Sequence, residues 1–178
     1  MAGTLDRAQI RTLLAERAAR MAAAHLSGGV RVVGGAAIAL MSSDRRATAD
    51  IDAQLLPAEG VRTIAAQMAD EYGLGPDWVN EAAAMYVPPV GSEDWIPLMR
   101  MGDVVVSLGS APMLLAMKLS ANRGRRDAAD IDFLLDACNV TSVEEAQSIY
   151  ERYHAQDVLP ESAQARVRAW LRSRDGAR

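Results

Sequence analysis

Apolar residues recur at helical spacing over residues 5–26 (Leu5, Ile10, Leu13, Leu14, Ala18, Met21, Leu26), predicting a long amphipathic first helix. Ser27-Gly28-Gly29 ends it. The period then shortens. Val30-Arg31-Val32-Val33 reads as a buried strand, Gly34-Gly35 as a turn, and residues 36–41 as a helix of small side chains. Arg45-Arg46 fall in a loop, residues 49–55 form a second strand ended by Pro57, and residues 59–72 return to helical spacing. From Gly73 to Gly102 proline and glycine interrupt every period, leaving Tyr86-Val87 as a short strand candidate. Residues 104–108 predict a further strand. Beyond them the pattern is helical throughout. Pro112 opens 113–121, Asp127 caps 128–137, Ser142 with Glu145 gives a capping box for 143–154, and Pro160 starts a last helix to about Arg172.

This order predicts an α+β fold: a small mixed β-sheet with flanking helices and a C-terminal helical bundle. The 178 residues suit a single domain, with an α/β core over about 1–110 and a helical region over about 111–178. Half of the residues are hydrophobic, which excludes a disordered chain. The single Cys138 excludes an internal disulfide and fits a reducing compartment. The charged N-terminus lacks a secretory pattern, and the apolar run at 32–41 is too short for a bilayer. A cytoplasmic protein with no membrane partner is expected. A net charge of −4 argues against a general nucleic-acid coat, although Arg123, Arg125 and Arg126 form a local basic cluster.

The chemistry concentrates in Thr48-Ala49-Asp50-Ile51-Asp52. On a continuous strand Thr48, Asp50 and Asp52 share one face, with the two carboxylates about 6.6 Å apart along the backbone. At an effective dielectric near 20 they repel by roughly 2–3 kcal/mol, so a cation is expected to hold them. Hard oxygen ligands suit Mg²⁺, and Mg²⁺ suits phosphoryl chemistry. The Gly34-Gly35 turn lies fifteen residues earlier and opens a helix whose first N–H groups can receive a phosphate. Arg46, four residues before Asp50, is within reach of a triphosphate. A second Asp-x-Asp, Asp130-Ile131-Asp132, falls in a helical segment where positions i and i+2 do not face each other. Of the 19 Lys and Arg residues only Lys118 is a lysine, which marks a position wanting a compact point charge. Trp78, Trp95 and Trp170 read as buried anchors, His25 and His154 as ordinary surface or helix-end residues.

Together, Val33-Gly34-Gly35-Ala36-Ala37 and Arg46-Ala47-Thr48-Ala49-Asp50-Ile51-Asp52 resemble the minimal nucleotidyltransferases of the DNA polymerase β superfamily. Leu114-Leu115-Ala116-Met117-Lys118-Leu119-Ser120-Ala121, Arg126-Asp127-Ala128-Ala129-Asp130-Ile131 and Asp77-Trp78-Val79-Asn80 are similar to the AbiEii-type toxin branch and its uncharacterised relatives. The resemblance spans about residues 30–135. It implies an Mg²⁺-dependent nucleotidyltransferase in which Gly34 and Gly35 bind the nucleotide phosphates and Asp50 and Asp52 bind the metal, while Arg46 by its spacing and Thr48 by its strand face are added as nucleotide contacts. Lys118 would reach the triphosphate, and Asp127 or Asp130 would belong to a helical-side element. The third carboxylate usual in the superfamily stays open among Asp103, Asp127 and Asp130, with Asp130 taken as catalytic.

The resemblance further implies transfer of NMP from an NTP to an acceptor hydroxyl, with an RNA (tRNA) 3′ end favoured. The protein would be the toxin of a toxin–antitoxin pair, with a cognate antitoxin protein as partner. The alternatives are an enzyme of the same fold that modifies a protein or small molecule, and a non-catalytic nucleotide-binding module.

Overall fold

The computed structural model describes residues 4–42, 47–56 and 60–176. Arg45, Arg46, Pro57 and Glu59 therefore lie outside the described residues. The chain forms two compact units, one of residues 1–86 with 95–109 and one of residues 87–94 with 110–178. The fold is α+β, as the element order predicts.

In the first unit, α1 (Arg7–Ala23) starts at Asp6, whose carboxylate accepts the Gln9 N–H while the Gln9 side chain accepts the Asp6 N–H. This capping box satisfies two backbone donors that would otherwise be orphaned. Next come β1 (Gly28–Val32), α2 (Gly34–Met41), β2 (Ile51–Leu56), α3 (Val61–Tyr72) and β3 (Val79–Asn80). A 3₁₀ turn at Ala84–Tyr86 takes the place of the strand expected at Tyr86-Val87. β4 (Trp95–Met101) and β5 (Val104–Gly109) complete the unit.

Among the described residues the strands form one sheet in the order β3-β2-β1-β5-β4. β1 runs antiparallel to β2 and parallel to β5, β2 runs parallel to β3, and β4 runs antiparallel to β5. Alternation puts Val30, Val32, Ile51, Ala53, Val104, Val106 and Leu108 on one face, where they are buried. Helices α1 and α2 pack on these strands. Arg31, Asp52, Gln54, Asn80 and Ser107 project from the opposite face, which makes that face polar.

The sequence pattern misses β4, and the reason is local. Pro97, opposite Ser107, is followed by a bulge before Met99, and the strand lies at the sheet edge, where a missing N–H is tolerated.

The second unit contains a 3₁₀ turn at Ser92–Asp94 and helices α4 (Ala111–Ala121), α5 (Arg125–Ala137), α6 (Val143–Tyr153) and α7 (Glu161–Asp175). α4 packs on α5 and α6, and α6 on α7. The Ser110 hydroxyl caps α4 by accepting the Met113 N–H and donates to Asp94 at 2.9 Å. Tyr153 on α6 donates to the same Asp94 carboxylate at 2.6 Å. α5 begins earlier than expected. Asp127 is not its N-cap but sits inside the first turn, reaching back to the Arg123 N–H at 2.9 Å.

Candidate functional site

The turn between β1 and α2 is shaped by what it lacks. Val33 precedes the helix in extended conformation and provides no side-chain cap, so the first N–H groups of α2 have no capping partner from it. Gly34 takes φ +62°, a region that L-residues enter only with strain. A Cβ at Gly34 would stand 2.7 Å from Asp52 Oδ2. The glycine is therefore required twice, once for the backbone angle and once to admit the carboxylate against the helix N-terminus. A negative group there is favoured by the partial positive charge of the helix end.

Asp52 is held by the sheet. Val32 pairs with Ala53, and the Val33 N–H donates to the Asp52 carbonyl at 2.9 Å, carrying the ladder one residue past β1. Asp50 is placed differently. β2 begins only at Ile51, so Thr48 and Asp50 are not on a continuous strand face with Asp52, contrary to the sequence expectation. Thr48 instead forms a backbone bridge with Leu5, donating and accepting one hydrogen bond (2.9 and 2.6 Å).

The Asp50 carboxylate is aimed by Asn80. Asn80 stands opposite Asp52 in the parallel β2–β3 register, and its Nδ2 donates to Asp50 Oδ2 at 3.0 Å. Its remaining groups are engaged as well: Nδ2 also donates to the Asp77 carbonyl, and Oδ1 accepts the Ala82 N–H. The next residue pins the strand. Glu81 accepts the Leu55 N–H of β2 at 3.2 Å and pairs with Arg62. The Arg62 hydrogen bond lowers the Glu81 pKa against the effect of burial, with the Leu55 N–H helping.

A separate cluster lies in the helical unit. Lys118 on α4 pairs with Asp127 at 2.7 Å and Asp130 at 2.9 Å, both on α5 and three residues apart on one helix face. All three are buried. Arg123 adds a second cation on Asp127 at 2.9 Å. Burial alone would raise the Asp127 carboxyl, but hydrogen bonds from Arg123 and Lys118 outweigh it and hold it well below the usual carboxylate range. Asp132, two residues beyond Asp130, turns away and pairs with Arg166, as the helical reading of the second Asp-x-Asp expects.

Among the sequence candidates, then, Gly34, Gly35, Asp50 and Asp52 belong to the sheet unit, with Asn80 as a member that sequence reasoning left without a role. Lys118, Asp127 and Asp130 form their own group. Arg46 lies outside the described residues. Asp103 can be set aside: it is exposed and precedes β5, whereas Asp52 lies level with the far end of that strand. Five strand residues at about 3.3 Å each separate the two ends.

Residues 11–173 match the family described as nucleotidyltransferase of unknown function (DUF6036), and the chain belongs to that family. No curated protein and no solved structure gives a significant match. Among the described residues no helix is long and apolar enough to cross a membrane.

Proposed function

We propose that this chain transfers a nucleoside monophosphate from an NTP to an acceptor hydroxyl, with Asp50 and Asp52 as its metal-binding pair. The observation that carries this reading is the contact of Asp52 with the Gly34 turn. It brings a carboxylate to the N-terminus of α2, which Val33 leaves without a side-chain cap, as a metal-bound triphosphate requires.

The donor set suits Mg²⁺. Among the described residues no group of three or more His, Cys, Asp or Glu can hold a metal ion. Mg²⁺ needs no such cage, because it is commonly held by one or two carboxylates together with substrate phosphates. Asp50 and Asp52 would hold it, and when bound it would neutralise phosphate charge and lower the pKa of the attacking oxygen. The remaining work falls to the protein. The α2 N-terminus receives phosphate oxygens, Asn80 fixes Asp50, and Gly34 and Gly35 let the backbone approach the nucleotide. Thr48 and Arg46 stay proposed nucleotide contacts. Lys118 and Asp130 are proposed as catalytic partners on the strength of the resemblance to the AbiEii-type branch.

The same resemblance supports an RNA acceptor, a tRNA 3′ end in particular, and the role of a toxin with an antitoxin partner. The exposed Arg125 and Arg126 offer phosphate contacts for such an acceptor. Incubation with each labelled NTP, Mg²⁺ and RNA, protein or small-molecule acceptors tests the reading. Label on RNA that disappears with Asp52→Ala supports it. Label on another acceptor keeps the enzyme and replaces the substrate, and no transfer to anything favours a non-catalytic module.

A further inference from the structure

Beyond Asp52, the polar face of the sheet carries a second arrangement without an assigned task. The register carries one row of residues across the sheet: Trp95 on β4 faces Gly109, Val33 lies between Gly109 and Asp52, and Asn80 follows Asp52. Arg31 sits two residues before Val33, between Gln54 and Ser107 on its neighbouring strands. Its guanidinium leans to the Trp95 ring, 4.9 Å from the centroid. The stack thus takes the charge toward the end of the sheet where Asp52 and the Gly34 turn lie.

Two features accompany this stack. Among the described residues no carboxylate pairs with Arg31, whereas Arg20 and Arg62 in the same unit are paired and Arg7, Arg11 and Arg100 are not. Trp95 is only 7 % exposed, yet among the described residues its indole Nε1–H has no acceptor. Buried donors in folded proteins are nearly always paired, by protein groups or by ordered water. The guanidinium is thus a partly exposed donor, fixed on a buried ring and with no carboxylate partner among the described residues.

We infer that Arg31, backed by Trp95, contacts a phosphate group of a reaction partner, taking its non-bridging oxygens through the guanidinium fork. The inference rests on the proposed nucleotidyl transfer and deepens it by naming a specificity element on the far side of β1 from Asp52. The planar fork suits bidentate phosphate recognition, and the indole face preorganises it by cation–π attraction. The phosphate belongs either to the NTP or to the acceptor backbone, and the two sources separate experimentally.

The test titrates the full-length protein with each Mg-NTP, and separately with a single-stranded RNA oligonucleotide bearing a free 3′ hydroxyl, following tryptophan fluorescence and binding heat. Arg31→Gln is expected to weaken one of these ligands by about tenfold or more, the worth of a charge-assisted contact. Loss confined to NTP assigns the phosphate to the nucleotide, and loss confined to RNA assigns it to the acceptor. Arg31→Lys keeps the charge and methylene packing, so a wild-type Tm with affinity still reduced excludes a folding effect. In Trp95→Phe the fluorescence change on binding should disappear. Unchanged affinity of both Arg31 variants for both ligands overturns the inference, while loss of transfer in Asp52→Ala would still uphold the enzyme. A wild-type protein that binds neither ligand overturns both.

Discussion

Asn80 donates its side-chain amide to Asp50 at 3.0 Å while standing opposite Asp52 in the β2–β3 register, so a neutral residue holds Asp50 from the strand position beside Asp52. Its other hydrogen bonds, to Asp77 and Ala82, leave the amide little freedom to turn away. Asn80→Ala releases Asp50 from this constraint. A hydrogen bond to a charged group is worth about 1.5–3 kcal/mol, so transfer is expected to fall roughly tenfold to a hundredfold. Asn80→Asp is expected to be worse, because it sets a third negative charge beside the pair. Steady-state rates across an Mg²⁺ titration check this; equal rates in all three proteins would remove Asn80 from the site.

Gly34 and Gly73 share φ +62°, but only Gly34 has a neighbour that a Cβ would strike. Alanine at either position incurs the left-handed strain of about 1–2 kcal/mol. At Gly34 the methyl also displaces the Asp52 carboxylate. Thermal melts are therefore expected to show modest losses for both variants, while transfer is lost only in Gly34→Ala. Comparable activity in the two would show that the contact with Asp52 has no functional weight.

Lys118 is embedded between two buried carboxylates, and its removal takes one cation from each of them. Breaking a buried ion pair from one side costs about 3–5 kcal/mol, so Lys118→Met is expected to lower stability by that order in denaturant unfolding. Lys118→Arg should not restore it fully, since the planar fork replaces a point charge held by two partners at 2.7 and 2.9 Å. A Lys118→Met protein as stable as wild type would contradict the paired arrangement.

Asp127 makes stability pH-dependent in one direction. Its carboxyl is held below the ordinary value by Arg123 and Lys118, against the pull of burial. The contribution is fully present above the unfolded-chain pKa of about 3.9 and fades as pH falls toward the lower folded value. Unfolding free energy should thus decline as pH drops below about 4. Asp127→Asn should be less stable at neutral pH and show a shallower decline, which urea titrations at several pH values would reveal.

Much of this arrangement is legible in the sequence because it depends on local signals. The Gly-Gly turn after a β-branched run, the alternation in Ile51–Leu56 and the helical periods of α3 to α7 each specify an element within a few residues. Two things were hidden by long-range effects. β4 carries a proline that local rules count against a strand, and only its edge position permits it. Asn80 gains its meaning from parallel pairing with a strand nearly thirty residues earlier, which no local pattern announces. The spacing of Asp50 and Asp52 implied a shared strand face, whereas the chain bends before Ile51 and a side-chain amide supplies the orientation instead. Lys118 is the lone lysine of the chain, and the two buried carboxylates around it give a physical reason for a compact charge at that position.

The most direct measurement of the central claim is nucleotidyl transfer itself, with each labelled NTP, Mg²⁺ and total RNA, in wild type and in Asp52→Ala. The account predicts label joined to RNA 3′ ends by the wild-type protein and none by Asp52→Ala, with both proteins melting at similar temperatures. Equal transfer by the two proteins would contradict it, because the carboxylate at the Gly34 turn would then have no part in the reaction.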